Sequence, residues 1–457
     1  MKISFICPGR NNLKYAKWSY DSIQKNKGNH EVEYCFADDA STDGTKEWCE
    51  EMSKKDSNFK YIVNDTGERV GHTILYDRLV NEVATHDMCM IYHCDMYLCP
   101  GALDAIEKHM YSKLSLKERI EMSTFWHKDE VTKQLEDSTT GTTEKYVLNK
   151  LEKQGIPTHN PTQKTIVSLT RIEPPLHPDG PEKVLLDCGV EPEEFDEAKL
   201  LEEVMWAQEG RGFGEDMPNT TEGIFAPWAF WKKDFQEIGG HDPLYRPQSK
   251  EDSDIFNRFQ LNGCKFVQTW EGFVYHMTCR GSRRNTVDKA KNIYEDSPEW
   301  LEQNAKSTRN FIRKWGSFVK HDTYMKPIIP NKYDIGIVIT NCNLMTLTAL
   351  EPYANNVYID DYFIHYPEYI KREQPNTDYD LSERILPYDN EKNNNIIIEM
   401  DANKVGPQEG QYLQMLAEIF DQGVEPGTFE LGQLKITVVK PTHYTKDLIK
   451  IDTQYNK

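Results

Sequence analysis

Short apolar runs alternate with helically spaced stretches through the first hundred residues, and no other feature of the chain restricts its fold as much. Ile3 to Cys7, Val32 to Ala37, Tyr61 to Val63 and Asp87 to Tyr92 have the length and apolar content of strands. Between them, Leu13, Ala16, Tyr20 and Ile23 recur at helical spacing, and Lys46 to Lys54 and Ile74 to Ala84 read as two further helices. A strand apolar along its whole length is buried on both faces, and an intervening helix carries the chain back to pair in parallel. The pattern therefore predicts βαβ units and an open, largely parallel sheet with helices on both faces. Such sheets bind ligands beyond the carboxyl ends of their strands, so the residues just past each run are where chemistry is expected.

At 457 residues the chain exceeds one ordinary core and calls for more than one domain. The stretch from about 111 to 222 is rich in charge, Pro and Thr, with Glu173-Pro174-Pro175-Leu176-His177-Pro178-Asp179-Gly180-Pro181 at its middle, and reads as an insertion or lid. Strand-like runs return at Gly223 to Trp231 and Lys265 to Tyr275 around a helix from Asp252 to Leu261, and a charged helical region spans Asp288 to Val319. Pro327 and Pro330 punctuate a linker, after which 335–339, 357–359, 396–398 and 436–439 are strand candidates. The expected organisation is a domain over 1–330 and a smaller α/β domain over 331–457.

Lys and Arg number 54 against 74 Asp and Glu, a formal charge of −20 that repels nucleic acid except where cations cluster. No apolar run is long enough to cross a bilayer and none reads as a targeting signal, so a soluble, cytoplasmic protein is expected. The ten cysteines form no Cys-x-x-Cys pair, and several sit inside apolar runs where reduced thiols behave as small hydrophobes.

Acidic residues gather at the predicted carboxyl ends of strands. Asp38 and Asp39 come directly after the second run and can accept hydrogen bonds from a base or ribose; with Asp43 they serve equally well as caps of the next helix. His93-Cys94-Asp95 comes after the fourth, and strand alternation directs the imidazole and the carboxylate to one side, where they could share a metal.

These blocks carry a resemblance. Phe36-Ala37-Asp38-Asp39-Ala40-Ser41-Thr42-Asp43-Gly44-Thr45 resembles the family 2 glycosyltransferase motif of a hydrophobic strand leading into D-D-x-S-x-D-x-T. Asp95-Met96-Tyr97-Leu98-Cys99-Pro100-Gly101-Ala102-Leu103 is similar to the segment that begins at the last aspartate of that family's D-x-D. Ile238-Gly239-Gly240-His241-Asp242, then Glu251-Asp252-Ser253-Asp254 and Arg258, resemble its "GGFD…ED-D…R" block, and Val274-Tyr275-His276 its late metal-binding histidine.

The resemblance implies a GT-A (Rossmann-like nucleotide-diphospho-sugar transferase) fold, a UDP- or GDP-sugar donor, a divalent cation (Mn2+ or Mg2+), a glycan or other hydroxyl acceptor, and inversion at the anomeric carbon. Asp95, His276 and His93 are the implied metal ligands. His93 replaces the family's first aspartate, which removes a negative charge and shifts preference towards manganese. Donor contacts are expected from the Pro8-Gly9-Arg10-Asn11 turn, Asp38, Asp39, Cys94 and Arg78, the last standing near the family's "G…RN" stretch. Arg280, Arg283 and Arg284 form the densest basic cluster and are expected on the diphosphate, or else in a solvated turn. Inversion needs a base on the acceptor side: Asp252, at a helix start whose dipole favours an ionised carboxylate, with Glu251 as the alternative. Trp228 and Trp231 would offer aromatic faces to an acceptor sugar, or simply belong to an apolar strand.

In the insertion, Trp126-His127 and Thr170-Arg171-Ile172-Glu173-Pro174-Pro175 have no counterpart in the motif set; they are expected to shape the acceptor pocket, or to serve a lid or packing. For 331–457, with Asp360-Asp361 among Tyr358, Tyr362, Phe363 and Tyr366, acceptor binding and homo-oligomerisation are the roles considered. Two other functions remain open: transfer to modified DNA bases, which needs a cationic track, and non-catalytic glycan binding.

Overall fold

The computed structural model describes residues 1–111, 114–137, 141–156, 158, 164–215, 218–278 and 296–455. The first sheet comprises β1 (Lys2–Gly9), β2 (Glu31–Asp38), β3 (Phe59–Val63), β4 (Met88–Ile91), β5 (Met96–Leu98), β6 (Thr165–Glu173), β7 (Lys183–Leu185), β8 (Thr220–Thr221), β9 (Trp228–Trp231) and β10 (Lys265–His276). Its order is β3-β2-β1-β4-β9-β6-β10-β5, with β7 on β6 and β8 on β10. The four apolar runs at the start of the chain are β1 to β4, mutually parallel as their spacing predicts. Alternation divides β1 between two cores: Ile3, Phe5 and Cys7 pack on one face, Ile6 on the other.

The 111–222 stretch differs from a lid. Helices Leu116–Met122, Lys128–Glu136 and Gly141–Lys153 do form a small satellite around Ile120, Val147 and Leu151, but β6, buried at all nine positions, lies inside the main sheet between β9 and β10. Trp126 projects from the satellite, 97% exposed. Among the described residues no helix is long and apolar enough to cross a membrane.

A second sheet holds β11 (Ile335–Thr340), β12 (Asn356–Ile359), β13 (Ile385–Pro387), β14 (Ile396–Asp401), β15 (Gly427–Leu431) and β16 (Leu434–Val438), in the order β13-β12-β11-β14-β16-β15. The sequence expectation of a mixed α/β first domain and then a smaller α/β domain is borne out. The chain then returns to the first unit, where Ile451 N donates to Ile238 O at 3.2 Å and Tyr455 Oη to Glu82.

The helix Pro298–Trp315 joins the two sheets through buried charge. Lys314 pairs with Asp242 and Asp254, both at 2.7 Å, on one side; Arg313 pairs with Glu351 at 2.6 Å and Glu373 at 2.7 Å on the other. Glu351 also receives Arg384 at 2.7 Å and is fully buried. Burial alone would raise its pKa, but Arg384 and Arg313 hold it at about 2. Glu351→Gln leaves two guanidiniums short of their counter-charge, and because breaking a buried ion network costs more than the network contributes, we expect a loss of about 3–5 kcal/mol, read as a lower urea midpoint. An unchanged midpoint would show that the helix does not clamp the two sheets through this network.

Candidate active site

At the carboxyl edge of β1 and β2 the two loops are tied to each other. Asn11, at φ 52°, donates its backbone N–H to Ser41 Oγ at 2.9 Å, and its side-chain oxygen accepts from Thr42 N at 2.7 Å. Leu13 N donates to Asp43 at 2.9 Å, and Asp38 accepts from Ser41 N at 3.0 Å. Asp39 is committed to the loop after β3: it accepts from Asn64 Nδ2 at 2.8 Å, Val70 N at 3.0 Å and Gly71 N at 2.9 Å. Of the three, Asp43 reaches the helix Thr45–Lys55, accepting from Thr45 N at 3.3 Å, while Asp38 and Asp39 tie loops instead of capping it. Cys94 lies buried beneath the first loop and accepts from Asn12 Nδ2 at 3.5 Å, next to Gly9 at the end of the strand that contains Pro8.

The Asp39 clamp positions Arg69, whose Nη2 donates to Gln248 at 2.7 Å. Burial lowers the Arg69 pKa, Asp39 opposes this, and Arg10 adds to it, so two guanidiniums share one region. A buried Nη1 of Arg10 has no partner among the described residues. Two cations held together next to an orphaned donor suit an anion.

Asp95 and His276 meet because β5 and β10 pair antiparallel with His276 opposite Met96, one residue from Asp95. His276 Nε2 is 3.4 Å from Asp95 Oδ1, and the His93 ring centroid is 5.6 Å from that of His276. Ligand atoms of His93, Asp95 and His276 all lie within 4.8 Å of one another, which makes the group a candidate cation site. Burial alone would lower the His276 pKa, but Asp95 and then Glu173 outweigh it and hold it at about 9. Desolvation, then His276, pulls His93 down to about 4, which leaves it neutral and able to donate a lone pair. Asp95 is held at about 2, its burial overcome by His276 and His93.

On the facing side, Glu251 and Asp252 open the helix Glu251–Leu261 after two non-glycine residues in the left-handed region, Ser249 at φ 78° and Lys250 at φ 70°. Gly71 lets the Arg69 to His72 segment press on this turn: its φ is +87°, and a Cβ there would sit 2.2 Å from Pro247 O. The contact brings His72 Nε2 to 2.6 Å from Glu251 Oε1, while Glu251 Oε2 is buried and has no partner among the described residues. His72 in turn stands near enough to His93 for its charge to lower the His93 pKa, which joins the two halves of the site.

The two adjacent carboxylates diverge. Burial would raise Glu251, but His72 outweighs it and keeps the group ionised. Burial and then the Glu251 charge raise Asp252 to about 6. The helix dipole therefore does not dominate at Asp252 as expected from sequence; desolvation and its neighbour do. A carboxylate near pH 6 is ionised at neutrality yet basic enough to take a proton.

Several expected contacts are not formed. Arg78 ends the helix His72–Arg78 and pairs with Glu82 at 3.2 Å. Trp228 is fully buried against Phe230, Phe256 and Phe259. Trp231 packs on Tyr111 and pairs with Met88 at the start of β4, the edge opposite the site. Neither offers a face to a sugar, because both belong to the packing of a central strand. Arg280, Arg283 and Arg284 lie outside the described residues. His72, Arg69, Arg171 and Glu173 reach the site although the family motifs give none of them a role there.

Residues 4–151 match a family model described as glycosyl transferase family 2. This part of the chain is similar to that family. The family 2 match and the mixed sheet bear out the GT-A class expected from sequence; Glu251, Asp252 and His276 lie beyond the matched residues, and geometry alone brings them to it. No curated protein matches the sequence. Among solved structures, the chain is similar to the mannosyltransferase PcManGT from Pyrobaculum calidifontis in complex with GDP-Man and Mn2+, at 14% identity and TM-score 0.34, over 61% of this chain and 57% of that one. It is similar to S. aureus TarS 1-349 at 14% identity and TM-score 0.34, over 60% of each chain. For GalNAc-T7 with UDP, GalNAc and Mn2+ the values are 12% and 0.38, over 68% and 48%. The chain thus spans about half to three fifths of these neighbours' own lengths.

Proposed function

We propose that residues 1–330 form an inverting glycosyltransferase, which moves a sugar from a UDP- or GDP-sugar to a hydroxyl of a glycan, lipid-linked glycan or protein. The observation that carries this reading is the convergence of His93 and Asp95, from the turn between β4 and β5, with His276 at the end of β10, opposite a carboxylate raised to about 6. The donor set fits a borderline divalent ion such as Mn2+, with one carboxylate and two imidazoles. Such an ion would supply charge compensation for a departing diphosphate. Arg10 and Arg69 bind the donor's anionic part. Asp252 accepts the proton of the acceptor hydroxyl as that oxygen attacks the anomeric carbon, and Glu251, fixed by His72, accepts from a neighbouring hydroxyl of the acceptor through its free oxygen.

A donor screen tests this. Nucleotide sugars are incubated with Mn2+ while nucleoside diphosphate release and thermal shift are recorded, and the anomeric configuration of the product is read by NMR. We expect one donor to stabilise the fold only when the cation is present, with a product of opposite configuration. A donor that stabilises equally in EDTA overturns the cation's role, and a retained configuration overturns Asp252 as base for direct displacement.

A further inference from the structure

We infer that Glu173 is a positioning residue for the proposed cation site: it fixes the ring and tautomer of His276 so that Nε2 faces Asp95. The inference rests on the cation reading above. Glu173 ends β6, a strand outside the family 2 match, and the parallel ladder that pairs Ile172 with Tyr275 sets Glu173 beside His276.

His276 Nδ1 is 2.7 Å from Glu173 Oε1, while Nε2 points to Asp95. An ionised carboxylate only accepts, so Nδ1 keeps its proton toward Glu173, and it is the Nε2 proton, facing Asp95, that a cation would displace to reach the lone pair in the space shared with Asp95 and His93. Glu173 is 2% exposed, and its own position is fixed by Lys183 Nζ at 3.1 Å and Arg171 Nη1 at 3.3 Å. Arg171 is fixed in turn by Glu182 at 2.9 Å and by the Phe225 ring 3.8 Å away. A carboxylate behind a ligating imidazole orients it and makes it a better ligand, and loss of such a partner typically weakens metal binding about 10–100-fold.

The test titrates Mn2+ alone into the metal-free full-length chain and reads free Mn2+ by electron paramagnetic resonance. Asp95→Ala and His276→Ala are expected to abolish the site. Glu173→Gln is expected to weaken it about 10–100-fold. Glu182→Gln removes an equal charge from the same buried network without touching His276, and is expected to stay within about threefold of wild type. Should Glu173→Gln fail to fold, Glu173→Asp keeps the charge but withdraws the carboxylate by one methylene, and it too should bind Mn2+ more weakly. If Asp95→Ala binds Mn2+ like wild type, the cation reading itself is wrong. If Asp95→Ala loses the site while either Glu173 variant binds within threefold of wild type, or if Glu182→Gln falls as far as Glu173→Gln, the positioning role is wrong and the cation site stands.

Discussion

Asp252→Asn is expected to lower the transfer rate about 10²–10⁴-fold, the usual contribution of a general base, without weakening donor binding. The amide keeps the side chain's shape but cannot take the acceptor's proton. In the wild type the rate should rise with pH through about 6, as Asp252 ionises, and level off above it. The residual rate of the variant should lack that limb. Stability should move the other way. The folded pKa of about 6 lies above the ordinary carboxylate value, so the fold gains from the proton below about pH 4 and loses that gain as pH rises through about 6. At pH 8 the ionised group sits beside Glu251 in a desolvated corner, a penalty of about 1–3 kcal/mol that asparagine does not incur. The variant should therefore melt higher than wild type at pH 8 and together with it near pH 4. A pH–rate limb near 6 that persists in Asp252→Asn would assign the proton transfer to another group.

Whether a feature is legible in the sequence depends on whether it is local. β1 to β4 and the second α/β domain arise from short apolar runs and helical spacing, which depend on neighbouring residues alone. β6 is hidden because Pro174, Pro175 and the surrounding charge dominate the composition of 111–222, although Ile166, Val167, Leu169 and Ile172 are strand formers. With β6 recognised, Glu173 stands at a strand's carboxyl end and qualifies as a site residue by the rule that singles out Asp95. His72 meets Glu251 across 179 residues, a pairing no spacing encodes; Gly71 beside it is the available signal, since a glycine before a helix marks a close backbone approach. Trp228 and Trp231 mislead for the opposite reason. An aromatic residue in a strand suits a core and a sugar face equally, and only the position of β9 between β4 and β6 decides.

Asp95→Ala should eliminate both the cation-dependent thermal shift by donor and, with it, transfer, by about 10³-fold or more. Asp95 supplies the formal negative charge among the three candidate ligands; His93 and His276 are neutral when they bind a metal. Its loss therefore removes charge as well as one donor atom, in a site where charge compensation for a leaving diphosphate is worth several kcal/mol. His93→Ala removes one neutral ligand and keeps the Asp95 and His276 pair, so its effect should be smaller, and the order of the two variants is itself a test. Asp95→Ala should also lower the melting temperature at neutral pH: the carboxylate's folded pKa of about 2 lies below the ordinary value, so its contribution is fully present above about pH 4 and is lost only as pH falls through about 2. To separate folding from chemistry, both variants are compared below their own melting temperatures by nucleoside diphosphate release across a Mn2+ series. If Asp95→Ala turns over like wild type at the lowest Mn2+ that supports wild type, its carboxylate is not what holds the cation, and the convergence of β5 with β10 serves packing instead.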